Sequence, residues 1–218
     1  VYSVDWYGHR DLLGLYVQGS EGASKWGIIL EDLKRRGVKD ILVMCTDNLT
    51  GFSEVITDIF PKTLIQKCIV HQVRSSLKYV DSKDTKEVVR DLRKIYKSPT
   101  LEQAESALQA FEVKWSKQYQ YVVDQWRNNW TELMGFMDFA PGMRKMIYTT
   151  NPVEAVHRIM RKLVKSKAAW VSTTALTNQL YLSLMHNKKS WKRKAHNWKS
   201  IQLELITKYP ERIQAHIQ

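Results

Sequence analysis

The sequence contains little of several residue types, and each shortage excludes a class of protein. Its 218 residues include two cysteines, Cys45 and Cys68, which excludes a scaffold of many disulfides and indicates a reducing compartment. Its nine glycines and five prolines form no low-complexity segment, and no apolar run approaches the roughly 20 residues of a membrane-spanning helix. With 44% hydrophobic and 26% charged residues, the composition is typical of a folded domain with a sizeable core.

Three motifs of nucleotide-binding and hydrolytic enzymes are also missing. The sequence has no GxxxxGK[ST] phosphate loop, no GxGxxG after a predicted strand and no GxSxG nucleophile motif. ATP-dependent, dinucleotide-dependent and serine-hydrolase functions therefore lack support, and we expect no nucleotide cofactor.

Acidic residues are absent from one long stretch, residues 155–200, which carries +11 of the net charge of +12. Its eleven basic residues are Arg158, Arg161, Lys162, Lys165, Lys167, Lys188, Lys189, Lys192, Arg193, Lys194 and Lys199. A like-charge stretch repels itself unless an anion faces it, which favours nucleic acid as the partner over the simpler alternative of a solvated face. Trp170, Trp191 and Trp198 lie in the same stretch and either stack on bases or pack in a core. No strong apolar face runs through 186–200, so we expect no membrane contact.

The pattern of apolar residues predicts an α/β region followed by a helical block. We predict a hairpin from 1–7 and 12–17, helices at 21–36 and 53–60, and strands at 40–47 and 64–70. From 73 onwards apolar residues recur at helical spacing up to about 146, and their tryptophans fall in the apolar stripe, which indicates a core role. The last segment, 198–218, is predicted as one more helix, broken near Pro210.

Asp47 follows directly after the apolar run of the predicted strand at 40–47. Ligands of open α/β sheets bind at the carboxyl ends of strands, so this carboxylate is a candidate site residue. An Asp in a strand-to-helix turn that bonds nearby amides is an equally good interpretation.

Glu154 lies near the predicted start of another amphipathic helix. Asn151 suits the N-cap and Pro152 the first helical position, so Glu154 is placed to close a capping box. Alternatively, Glu154 shares one helix face with Arg158, Arg161 and Lys165, which suits a metal ligand beside a DNA track.

Cys68 and His71 have the spacing of half a zinc site. Zinc requires four ligands, or three and a water, and no second CxxC or HxxxH pair accompanies them. A buried thiol and a hydrogen-bonding imidazole near a functional turn is therefore the favoured interpretation.

Two long strings, CTDNLTGFSEVITDIFPKTLIQKCIVHQVRSSLKYV and IYTTNPVEAVHRIMRKLVKSK, resemble the Mutator-type transposases of bacterial insertion sequences. Members of that family typically read C-x-D-G-L-x-G-F, then C-I-x-H-Q-x-R-N-S, then Y-T-T-N-x-I-E-x-x-N/H-R-x-x-R-K-x-x-K. The resemblance covers nearly the whole chain and includes the stretch from Leu12 to Val43.

The resemblance implies an RNase H-like fold, a mixed sheet flanked by helices and interrupted by an all-helical insertion. It predicts a first part of the core at 1–72, the insertion at 73–147, closing helices at 148–185 and a basic helical tail at 186–218. It also implies a DDE catalytic triad in which Asp47 is the second acid and Glu154 the third, holding Mg²⁺ or Mn²⁺. Cys68 and His71 match the family's C-x-x-H feature.

The same resemblance implies DNA cleavage and strand transfer at the ends of an insertion sequence, with double-stranded DNA as partner. DNA contacts are expected from basic and polar residues of the matched motifs: Arg74, Asn151, His157, Arg158, Arg161, Lys162, Lys165 and Lys167. Synapsis of two ends implies a homo-oligomer, and the expected location is cytoplasmic and nucleoid-associated.

Three departures from the family pattern are visible. The family's first catalytic Asp lies in a D-x-x-x-x-K-V-R segment that this sequence lacks, so the fragment alone is expected to be inactive. Asn48 stands where the family usually has Gly, and the stretch from Ala169 to Thr174 lacks an acid often found there. A non-catalytic DNA-binding remnant of a transposase is therefore the alternative, and a nuclease that only hydrolyses is a weaker third option.

Overall fold

The computed structural model describes residues 1–17, 22–148, 151–166 and 169–217. The chain folds into two compact units. The terminal unit comprises Val1–Val38 and Asn151–Gln218, and the central unit comprises Lys39–Thr150. The domain boundaries predicted at 72, 147 and 185 stay predictions.

The regular structure of the described residues consists of helices and four short strands, so the protein is a mixed α/β protein that is mostly helical. The strands are β1 (Tyr2–Val4), β2 (Arg10–Leu12), β3 (Val43–Thr46) and β4 (Leu64–Lys67). The helices of the terminal unit are α1 (Ala23–Arg35), α8 (Asn151–Val164), α9 (Thr173–His186), α10 (Lys188–Trp191), α11 (Trp198–Lys208) and α12 (Pro210–Ile217). Those of the central unit are α2 (Phe52–Ile59), α3 (Ile69–Leu77), α4 (Thr85–Tyr96), α5 (Leu101–Asn128), α6 (Trp130–Met134) and α7 (Pro141–Ile147), with a 3₁₀ turn at Gly135–Asp138.

The predicted hairpin is present in the terminal unit, but the second strand predicted at 12–17 was wrong, because β2 comprises Arg10–Leu12 and residues 13–17 form no strand. Strands β1 and β2 pair antiparallel, with Tyr2 opposite Leu12. Gly8 turns the hairpin at φ +81°, a conformation that L-residues with a Cβ rarely adopt. A Cβ at this position would lie 2.4 Å from Cγ of Trp198, so the turn needs glycine for space as well as for backbone conformation.

Trp191 and Trp198 pack inside the terminal unit rather than form a stacking surface, whereas Trp170 is half-buried. Trp191 and Trp198 are 4% and 7% exposed. The Trp191 indole donates to the Leu184 carbonyl at 3.0 Å, and the Trp198 indole donates to the Trp6 carbonyl at 2.7 Å. Of the two roles left open for these side chains, the structure therefore selects packing in the core.

The central unit contains a parallel pair of strands, β3 and β4, in which Val43 lies opposite Leu64 and Thr46 opposite Lys67. The strand predicted at 64–70 was wrong at its C-terminal end, because helix α3 already begins at Ile69. Cys68 is the N-cap of that helix, and the Ile69 amide donates to the Tyr148 carbonyl at 3.2 Å instead of continuing the strand pairing.

No strand occurs between residues 69 and 148, all of which the structure describes, so the helical block is confirmed. Trp115 and Trp126 of its longest helix, α5, are 4% and 0% exposed, which confirms their core role. That helix kinks at Tyr119, whose hydroxyl donates to Asp84 at 2.6 Å.

The predicted sheet of an RNase H-like core is not confirmed. Within the described ranges the four strands form two separate pairs, β1 with β2 and β3 with β4, each three or four residues long. The break predicted near Pro210 is confirmed, since α11 ends at Lys208 and α12 begins at Pro210. No helix among the described residues is long and apolar enough to cross a membrane.

Candidate active site and basic surface

The register of β3 and β4 determines which side chains meet at the end of this strand pair. Because Thr46 lies opposite Lys67 in parallel strands, the next residues, Asp47 and Cys68, leave the pair at the same edge. The Cys68 amide donates to the Thr46 carbonyl at 2.8 Å, which fixes the two chain segments side by side.

One turn into helix α3, His71 reaches the same edge. The His71 Nδ1 atom lies 2.9 Å from the Asp47 Oδ1 atom, within hydrogen-bond distance. Ligand atoms of Asp47, Cys68 and His71 all lie within 4.8 Å of one another. Cys68 is fully buried, whereas the Asp47 side chain is 54% exposed, so the cluster has a buried sulfur and a carboxylate open to solvent.

Two neighbouring side chains complete this edge. Asn48, at the position where the resemblance predicts Gly, donates from its side-chain amide to the side-chain Oε1 atom of the buried Gln72. Its side chain therefore ties the Asp47 turn to helix α3, a contact that glycine cannot make.

The second cysteine, Cys45, has a different environment from Cys68. Its thiol donates to the Ile147 carbonyl at 3.1 Å. Burial and the neighbouring Cys68 raise the pKa of this thiol to about 12, so it is neutral at physiological pH.

Glu154 lies in the first turn of α8 and is half-buried. It belongs to the terminal unit and Asp47 to the central unit, so the approach of their carboxylates stays a prediction. Asn151 is the first residue of α8, and whether Glu154 closes a capping box onto it also stays a prediction.

The basic residues of α8 lie on the exposed face that the sequence predicts. His157, Arg158, Arg161 and Lys162 of α8 are exposed, and so is Lys165, the residue that follows the end of the helix. The opposite face packs through Val156, which is 2% exposed and belongs to a core cluster with Leu184 and Trp191. Lys167 lies outside the described residues.

The other basic residues named in the sequence analysis and described by the structure are also exposed. In the terminal unit they are Lys188, Lys189, Lys192, Arg193, Lys194 and Lys199, of which Lys192 contacts Asp11 at 3.0 Å. In the central unit, Arg74 is exposed one turn beyond His71 on helix α3.

The sequence indicated the Cys68–His71 pair but missed Asp47 as a third member of the same cluster. The pair is visible as a C-x-x-H spacing, whereas Asp47 joins it only through strand pairing across 21 residues. The signal in the sequence is that Asp47 and Cys68 each directly follow a strand, β3 and β4 respectively.

Comparison with known proteins shows the family. The family described as "Transposase, Mutator family" matches residues 1–194, and the chain belongs to it. The chain is 38% identical over 206 residues to the transposase for insertion sequence element ISRM3 of Rhizobium meliloti, covering 94% of this chain and 52% of that protein. It is 32% identical over 229 residues to a probable insertion-sequence transposase of Corynebacterium diphtheriae, covering 96% of this chain and 67% of that protein.

The chain therefore spans about half the length of the Rhizobium meliloti transposase. A second relative with the same identity and coverage is a probable transposase for an ISRM3-like element of Sinorhizobium fredii.

Proposed function

We propose that this chain is the catalytic part of an insertion-sequence transposase that cuts and joins DNA with the help of divalent metal ions. The observation that carries the proposal is the family match over residues 1–194, which includes both Asp47 and Glu154. In this proposal the fold is a variant of the RNase H-like core, and the first acid of the triad lies in a segment outside this sequence.

The donor chemistry of the two acids suits Mg²⁺ or Mn²⁺. Both ions favour carboxylate oxygens and keep some waters, and the 54% exposed Asp47 side chain has room for such a hydrated ion. When bound, a pair of such ions activates the attacking oxygen and stabilises the leaving oxygen of a phosphodiester.

The chain's own residues hold and orient the reacting groups. Asp47 supplies a carboxylate at the rigid end of β3, where His71 at 2.9 Å and the Asn48–Gln72 contact restrict its movement. Glu154 supplies the second carboxylate from the start of α8, as the family resemblance implies.

The exposed basic face of α8 is the proposed phosphate-binding surface. Arg158, Arg161 and Lys165 are solvent-exposed along consecutive turns, and the packed side of the helix fixes their direction. Contacts of this kind give affinity and position the duplex without reading its sequence. Lys162, His157 and Arg74 are further proposed contacts, and synapsis of two element ends would require an oligomer.

The test uses a longer form of the protein that includes the segment before residue 1, with DNA carrying the element's ends. We expect Asp47→Asn and Glu154→Gln each to lower Mg²⁺-dependent cleavage by about 100-fold or more, since such ligands supply several kcal/mol to the transition state. The matched controls are Asp58→Asn in α2 and Glu211→Gln in α12, both exposed acids, which should cleave like the parent protein.

Full cleavage by either active-site variant would refute the assignment of that acid. Salt-sensitive DNA binding by the parent, without cleavage at any divalent metal, would instead identify a non-catalytic DNA-binding protein. Cleaved products without joined products would indicate a nuclease.

A further inference from the structure

We propose that Asp47, Cys68 and His71 form a binding site for a soft divalent cation of the Zn²⁺ class, which shares only Asp47 with the proposed Mg²⁺ pair. Three different donors, a carboxylate oxygen, a sulfur and an imidazole nitrogen, lie within 4.8 Å of one another. Zinc sites with three protein ligands leave the fourth position to water or a substrate.

The distances fit tetrahedral geometry with small movements. Zinc–nitrogen and zinc–oxygen bonds of about 2.0–2.2 Å and zinc–sulfur bonds of about 2.3 Å place tetrahedral donor atoms about 3.3–3.8 Å apart. The Asp47–His71 distance of 2.9 Å would lengthen by roughly half an ångström, and the remaining pairs, bounded by 4.8 Å, would close by at most about 1.5 Å.

The local backbone favours this cluster before any ion binds. Cys68 is held by its amide bond to Thr46 and by its place at the start of α3, and His71 follows one turn later on the same helix. Both ligands of the C-x-x-H pair are thus on one rigid element, and Asp47 is presented by the paired strand. The half-buried His71 and the exposed Asp47 leave the fourth position open to water.

The donor set discriminates between metals. Sulfur and imidazole suit Zn²⁺ and related ions, whereas Mg²⁺ favours oxygen ligands in an octahedral arrangement. Deprotonation of the Cys68 thiol on binding would give a site with one thiolate and one carboxylate, whose charge balances that of a divalent cation.

The consequence rests on the proposed function. Asp47 belongs to both ligand sets, so a bound Zn²⁺ would withdraw this carboxylate from the Mg²⁺ pair and inhibit cleavage. The cluster would then make the enzyme sensitive to the availability of zinc.

The experiment measures metal binding by the 218-residue chain without DNA or Mg²⁺, so its result does not depend on catalysis. Co²⁺ is the spectroscopic probe, because a cobalt–thiolate bond gives a near-ultraviolet charge-transfer band and tetrahedral Co²⁺ gives visible bands. We expect one Co²⁺ per chain with both features, displaced by equimolar Zn²⁺.

The variants assign the ligands. Cys68→Ser should abolish the charge-transfer band, and His71→Gln and Asp47→Asn should each weaken binding by about tenfold or more, since even indirect supporting groups cost that much. Cys45→Ser is the matched control, because Cys45 is the other cysteine and does not belong to the three-donor cluster; it should keep the band.

Co²⁺ binding without a thiolate band, equal affinity in the His71→Gln variant, or no binding would overturn the proposal. Circular dichroism of each variant checks the fold. If Cys68→Ser does not fold, the charge-transfer band of the parent protein still tests for a thiolate ligand, and the Co²⁺ affinity of His71→Gln still tests for the imidazole ligand. If zinc binds but does not inhibit DNA cleavage by the longer, active protein, the zinc site stands and only the proposal that Asp47 serves both metal sites is refuted.

Discussion

Asp91 in helix α4 is the best-connected buried charge in the described part of the chain, and its replacement by Asn gives a quantitative test of the structure. Its side chain is 8% exposed and lies 2.7 Å from Lys114 Nζ and 2.7 Å from Lys94 Nζ. The Trp115 indole donates to the same carboxylate at 3.1 Å, so this residue joins α4 to α5.

The pKa of Asp91 gives the size of the stability change expected when its charge is removed. Burial raises this pKa, but hydrogen bonds from Lys114, Lys94 and Trp115 outweigh burial and lower the value from 3.8 to about 2. At about 1.4 kcal/mol per pH unit, this difference stabilises the folded state by about 2.5 kcal/mol. Asn keeps the shape and can accept from Trp115, and both lysines remain partly exposed, so the loss should reflect the charge alone.

The sign of the pH dependence follows from the lowered pKa. The unfolded carboxylate binds protons more readily, so the stabilisation is complete well above pH 3.8 and is lost as pH falls toward the folded value of about 2. We therefore expect Asp91→Asn to cost about 2.5 kcal/mol between pH 5 and 7, with about half of that difference left near pH 3.

Urea unfolding followed by circular dichroism and tryptophan fluorescence measures this difference at each pH. Asp124→Asn is the matched control, since Asp124 is an exposed acid of α5 bonded to Gln120 at 2.8 Å and should change stability by less than about 0.5 kcal/mol. An Asp91→Asn difference below that level at pH 7, or one that does not change between pH 7 and pH 3, would refute the reasoning.

Two further predictions concern the terminal unit. Gly8→Ala should destabilise the protein by about 2–4 kcal/mol in the same unfolding assay, because the alanine would have to adopt a left-handed backbone conformation and its Cβ would lie 2.4 Å from Trp198. Gly22→Ala is the control: Gly22 has φ −176° and no atom near the position of a Cβ, so this change should cost under about 1 kcal/mol. Replacing Arg158, Arg161 and Lys165 together by Ala should lower the salt dependence of duplex binding by about two to three in the slope of log K against log salt, with the fold unchanged; an unaltered slope would show that this face only contacts solvent.

Amphipathic periodicity predicted the helices well because each helix must bury one side of a regular 3.6-residue repeat. The helical block contains one long kinked helix at Leu101–Asn128, and in α8 Val156 is buried while Arg158 and Arg161 are exposed, as expected. Strand lengths were predicted less well. The apolar residues at 68–70 are compatible with a strand and with the first turn of a helix. The hydrogen bond between Ile69 and Tyr148, which favours the helix, joins residues far apart in the sequence and cannot be predicted from the local pattern.

Spacing along the sequence predicts only part of the candidate site. Cys68 and His71 are three residues apart, so one helix start explains their proximity, and the sequence alone was sufficient to select them. Asp47 reaches them only because β3 and β4 run parallel with Thr46 opposite Lys67. An antiparallel pairing of the same two strands would place Asp47 at the opposite end from Cys68. The ligand chemistry of this edge therefore depends on strand direction, and only a C-x-x-H spacing considered together with a parallel register reveals a three-donor site.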